Sequence, residues 1–156
     1  MLSLALRPIR QFAQAVITSD SPRQIAVGFV LGMMFGLVPK GNLSALVLIV
    51  LLLALRVNKP AGLVGIAAFT WLGAFCDGFA HLLGSAVLVW QPLRGMHDAL
   101  YVSAVSPLFG WNNTVVVGQL ALGLYLAFPV YWTVYHVAAK VQPPLGEWLM
   151  RYKVVR

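Results

Sequence analysis

The sequence predicts an all-α integral membrane protein with an N-terminal amphipathic helix, a re-entrant helical hairpin and two transmembrane helices. Three observations carry that prediction. Of the 156 residues, 60% are hydrophobic and 10% charged, and the mean hydropathy is +0.84. A soluble domain has about 45–50% apolar and ~25% charged residues, so too few charges remain here to cover a water-facing surface. Two consecutive apolar runs, each short for a bilayer, are joined by Pro39-Lys40-Gly41-Asn42. Finally, the lysines and arginines collect on one side only if those two runs enter and leave together.

Residues 1–18 read as an interfacial helix. Leu2, Leu6, Ile9, Phe12, Ala13 and Val16 recur at helical spacing, with Arg7, Arg10, Gln11 and Gln14 off that face. Such a helix lies on a bilayer or packs on a partner. Ser19-Asp20-Ser21-Pro22-Arg23-Gln24 then starts a new helix. Ser21 is the N-cap, Pro22 takes the first helical position and Gln24 closes a capping box. This helix is expected from Pro22 to Val38, about 24 Å at 1.5 Å per residue, against a hydrocarbon core of about 30 Å. Asn42 caps the next run, Leu43 to Leu55, which ends at Arg56-Val57-Asn58-Lys59-Pro60. Residues 22–55 therefore predict the re-entrant hairpin, whose polar turn must be covered by protein or water.

The block 61–89 is long for one span and rich in glycine. One kinked span is the favoured reading, with two pieces broken near Asp77-Gly78 as the alternative. Trp90 and Pro92 mark its end. Residues 91–111 read as a periplasmic loop with a short surface helix around Leu93 to Val105. Asn112-Asn113-Thr114 caps the last span, Val115 to Ala139, which Pro129 could kink and Lys140 stops. Residues 140–156 remain as a basic cytoplasmic tail. With the hairpin returning to its own side, Arg7, Arg10, Arg23, Arg56, Lys59, Lys140, Arg151, Lys153 and Arg156 share one face, and only Arg94 lies opposite, with Lys40 at the hairpin tip. The positive-inside rule then puts both termini in the cytoplasm.

The formal charge of +7 does not point to nucleic acid, because the basic residues are scattered singly between apolar blocks rather than massed on one face. A lone Cys76 excludes an intrachain disulfide and a zinc-ligand array. His81, His97 and His136 are far apart in sequence, and no Ser-His-Asp set, phosphate loop or carboxylate pair is visible. No enzyme activity, cofactor or metal is expected.

Three features invite a function. Gly28, Gly32 and Gly36, spaced by four, open a groove for close helix approach. The nearest candidate partner is Leu43 to Leu55; a polar lining between half-helices or a homodimer contact would use the same stripe. Asp77 and His81, also four apart, are the one ionisable pair inside an apolar block, which makes them functional candidates. They could equally satisfy each other or mark a helix break. Arg23, Arg56 and Lys59 could form an anionic-lipid patch, and Lys40 could meet a lipid phosphate or simply snorkel.

The stretch SPRQIAVGFVLGMMFGLVPKGNLSALVLIVLLLALRVNKPAG, with WNNTVVVGQL further on, resembles an uncharacterised bacterial family of small multi-pass inner-membrane proteins. The shared marks are Ser-Pro-x-x-Ile-Ala-x-Gly, the four-spaced glycines, Pro39-Lys40 and Asn42, and Asn-Asn-Thr-Val-Val. An Asn-Pro element of a broader related group is replaced here by Phe69-Thr70-Trp71-Leu72-Gly73. The resemblance carries no catalytic residues. It implies a larger partner with one membrane anchor and an extracytoplasmic β-groove, and hence a role in phospholipid transfer. A stand-alone solute or ion transporter and a non-transporting scaffold remain open beside it.

Overall fold

The computed structural model describes residues 20–151, with side chains described for 20–143. The expected interfacial helix over 1–18 and the end of the tail lie outside them. The described residues are helical and contain no strand: α1 Pro22–Leu37, α2 Leu43–Ala54, α3 Lys59–Phe75, α4 Asp77–Val89, a 3-10 turn Gln91–Leu93, α5 Arg94–Tyr101, α6 Ser106–Phe109 and α7 Thr114–Arg151.

The caps form as local chemistry dictates. The Ser21 hydroxyl accepts from the Gln24 amide at 3.3 Å, and the Ser21 amide donates to Gln24 Oε1 at 2.9 Å, completing the capping box with Pro22 behind it. Asn42 Oδ1 accepts from the Ala45 amide at 2.9 Å and starts α2. Asn113 starts α7 in the same way, accepting from the Val115 amide at 2.9 Å.

Tertiary packing departs from the hairpin pairing expected for the glycine stripe. A Cβ on Gly28 would overlap the Asn58 carbonyl, one on Gly32 the Gly62 carbonyl, and one on Gly36 would sit 3.0 Å from Phe69 Cβ. The stripe thus faces α3, which runs parallel to α1, and not α2. The reason lies in α2 itself: LSALVLIVLLLA has no glycine, so its backbone cannot come close. It reaches the core instead through Leu52, whose Cδ1 would lie 2.6 Å from a Cβ on Gly62.

The second departure is in residues 61–89. The chain breaks at Cys76, and α3 and α4 meet at 80°. Cys76 holds φ −91° and ψ 1°, the bridge region where a helix turns off, and its amide is shared between Gly73 O at 3.0 Å and Leu72 O at 3.1 Å. Residues 61–89 are thus parts of two helices bent at Cys76, one residue before the alternative break point, and the pair is a broken span or a re-entrant loop. The third departure is at Lys140, which does not stop α7: the helix continues to Arg151, taking in most of the expected tail. Lysine is a good helix former and its charge alone ends nothing. The loop helix over 93–105 is shorter than expected and is followed by α6.

Helix α7 packs antiparallel on α1: a Cβ on Gly123 would meet Met34 and Leu37 side chains, and Ala138 clusters with Ile25 and Ala61. Residues Thr114–Pro143 of α7 are long and apolar enough to cross a membrane, and α3 with α4 pass that test only together. Large apolar side chains point outward along the bundle, among them Leu53, Phe75, Phe79, Leu82, Tyr125 and Phe128, each more than half exposed.

Candidate functional site

One end of the bundle is knotted by polar bonds. Asn58 is fully buried. Its Oδ1 accepts from the Ala61 amide at 2.7 Å, which caps α3. Its Nδ2 donates to Asp20 Oδ2 at 3.0 Å, and its own amide donates to Gln24 O at 3.1 Å. Gln24 Nε2 donates to Arg56 O at 3.2 Å, and Gln142 Nε2 of α7 donates to Asp20 O at 2.7 Å. These bonds bring the start of α1, the α2–α3 loop and the late part of α7 to one level. Arg23, Arg56, Lys59 and Lys140 are all exposed at that level. Among the described residues none of the four is held in an ion pair.

Just inside this basic end, α1, α3 and α7 leave an apolar groove of about 330 Å³. Ile25, Phe29, Val64, Val134 and Val137 line it, and Gln142 adds one amide at the basic end. Alanine and glycine on the facing turns keep the helices close while the valines and Phe29 stand apart, so a slot remains along the seam. The volume falls at the lower end of the range for ligand sites.

The opposite end holds Pro39, Lys40 and Asn42. Lys40 does not reach out to a phosphate. Its Nζ donates to Phe35 O at 2.7 Å, Gly36 O at 2.8 Å and Val38 O at 2.8 Å. An ammonium has three donors, and all three go to carbonyls that α1 leaves orphaned at its C-terminus. The ammonium also lies 4.8 Å from the Phe35 ring centroid. Asn42 Nδ2 adds a bond to Pro39 O at 2.7 Å. The tip residues thus close the turn.

At the α3–α4 break, Asp77 and His81 do not pair with each other. Each reaches across to α7. Gln119 Nε2 donates to Asp77 Oδ1 at 2.6 Å and to Gly73 O at 3.1 Å, and His81 Nδ1 lies 2.6 Å from Thr114 Oγ1. Gln119 is 1% exposed, and its Oε1 has no hydrogen-bond partner. Backbones touch directly below: a Cβ on Gly84 would overlap the Thr114 carbonyl, and one on Gly118 the Ala80 carbonyl. No group of three or more His, Cys, Asp or Glu gathers for a metal among the described residues.

The structure therefore unites Arg23, Arg56 and Lys59 at one end and turns Gly28, Gly32 and Gly36 onto α3, but it separates Asp77 from His81 and occupies Lys40 internally. Sequence reasoning missed Asn58, Gln119 and Lys140 as site residues. Two of them carried a signal: Asn58 stands just before Lys-Pro, a helix start, and Gln119 is a lone amide inside an apolar span. Gly62 and Gly65, three apart, were the unread counterpart of the α1 stripe.

The profile of a family described as an uncharacterized protein conserved in bacteria (DUF2062) matches residues 6–143. No curated protein and no solved structure matches the chain.

Proposed function

The chain belongs to this uncharacterised bacterial family, and we propose that it is a small multi-pass subunit of the bacterial inner membrane that seats phospholipid and hands it to a larger, singly anchored partner with an extracytoplasmic β-groove. In this reading α1 and α2 form the re-entrant hairpin and both termini face the cytoplasm. Helices α3 with α4, and α7, supply the two crossings. The observation that carries it is the apolar groove near the end of the bundle where Arg23, Arg56, Lys59 and Lys140 are exposed and, among the described residues, in no ion pair. An acyl chain fits an apolar slot, and a phosphate belongs beside unpaired basic side chains at a membrane surface. The outward-facing apolar residues and the glycine seams support membrane embedding, because helices in lipid associate through small residues. The partner is inferred from the family resemblance alone.

The test is native mass spectrometry of the tagged protein extracted in mild detergent. The expected result is a complex with a large anchored protein that retains phospholipid, with the phospholipid lost when Arg23, Lys59 and Lys140 are all changed to glutamine. A lone chain that carries no lipid would overturn the reading. A second reading, a stand-alone transporter, is favoured by one observation: Asp77, Gln119, His81 and Thr114 gather at a broken helix, the place where transporters build sites. It requires Asp77→Asn to abolish solute flux in proteoliposomes while the bundle stays assembled.

A further inference from the structure

At the far end from the basic cluster, a second cavity of about 360 Å³ opens between the end of α4 and the short helix α5. Leu88 and Val89 form its apolar wall, and the other wall is polar. Arg94, His97, Asp98 and Tyr101 all line it, and Gln91 joins them from the 3-10 turn. Those four α5 positions follow the i, i+3, i+4, i+7 spacing that makes one helix face. The polar stripe of α5 therefore lines the cavity, with Arg94, Asp98 and Tyr101 exposed and His97 half-buried. That stripe can meet something held between α4 and α5.

The chemistry of the walls defines that something. Arg94, Gln91, Tyr101 and His97 offer donors, and Asp98 offers a carboxylate. Arg94 and Asp98 are one turn apart, yet among the described residues no ion pair joins them. His97 Nε2 is buried with no hydrogen-bond partner, a cost that a bound acceptor would relieve. His97 lines the cavity, and its imidazole χ2 is soft.

We propose that this cavity is a binding site for a phosphoethanolamine group, its phosphate on Arg94 and His97 and its ammonium on Asp98. A guanidinium suits a phosphate, and the separate carboxylate selects a zwitterion over a plain anion. The source is either a lipid headgroup or a soluble phosphoethanolamine. The lipid source rests on the membrane reading above, and the cavity lies at the end away from the groove, so the two sites fail independently.

The experiment follows the side-chain signals of isotopically labelled histidine in the full chain in detergent, the His97 resonance being assigned by its loss in His97→Gln. The probes are dihexanoyl phosphatidylethanolamine, dihexanoyl phosphatidylglycerol and free phosphoethanolamine. Saturable movement of the His97 signal is expected with phosphatidylethanolamine, weakened about tenfold in Arg94→Gln and unchanged in Arg23→Gln, which leaves this end intact. Asp98→Asn should erase the preference over phosphatidylglycerol. An equal response to free phosphoethanolamine would uphold the site and overturn the lipid source. No movement with any probe, in a protein whose other histidine signals match the folded state, would overturn the site itself.

Discussion

Two seams hold this bundle, and they solve close packing differently. Where α1 meets α3, the helices run parallel and the contact is backbone on backbone, with Gly28, Gly32 and Gly36 against Asn58, Gly62 and the turns above. Polar bonds gather only at its start, where buried Asn58 caps a helix and, with Gln24 and Asp20, ties a loop. Where α4 meets α7, Gly84 and Gly118 again let backbones touch, but side chains cross the seam as well: Gln119 to Asp77 and Gly73, and His81 to Thr114. The difference follows from the chain path. Helix α1 and helix α3 are continuous, so their amides satisfy each other internally. At the α3–α4 break Gly73 O accepts from the Cys76 amide, and Gln119 supplies a second donor to it. Small residues set the distance at both seams, and hydrogen bonds across a seam appear where the backbone is interrupted.

Single substitutions can break or sharpen that contrast. The largest effect is expected at the glycines. Gly32→Ala and Gly118→Ala each place a methyl where a carbonyl already sits, so the helices must part, costing about 3 kcal/mol apiece. Thermal unfolding of the two variants in detergent checks this, and a loss at one seam only would show that the seams differ in tightness as well as in polarity. Asn58→Ala comes next. It removes the α3 cap and the bond to Asp20, for about 2 kcal/mol, and protease cleavage in the α2–α3 loop should rise with it. Gln119→Leu should cost about 1 kcal/mol, near the usual net worth of a hydrogen bond, with increased thiol reactivity of Cys76 at the break as the readout. His81→Ala is the smallest, below about 0.5 kcal/mol, since His81 is exposed. A larger loss there than at Gln119 would mean that His81–Thr114, and not Gln119, holds the α4–α7 seam.

Legibility in the sequence varied with range. Ser21-Pro22-Arg23-Gln24 and Asn42 announced their helix starts, and both caps form as read, because a cap involves residues at most three apart. The family resemblance was readable for the same reason, since it rests on contiguous motifs. The pairing of the glycine stripe was not. A stripe on α1 offers the same groove to α2 and to α3, and choosing between them required seeing that α2 lacks glycine while α3 carries Gly62 and Gly65. Lys40 was illegible for a related reason: a lysine three residues beyond a helix end reads as a solvent charge unless its Nζ is seen to fold back on Phe35, Gly36 and Val38.

By itself, then, the sequence determined the helical class, the helix starts and the apolar character of the chain, all of which depend on near neighbours or on composition. The tertiary structure decided the partner of each glycine face, the 80° turn at Cys76 and the gathering of Arg23, Arg56, Lys59 and Lys140 at one end of the bundle. The physical reason is that these helices, the short α5 apart, are apolar all round. Core-facing and outward-facing positions then carry the same kinds of side chain, so periodicity gives no inside and outside, and only backbone approach and the few buried polar bonds distinguish one packing from another.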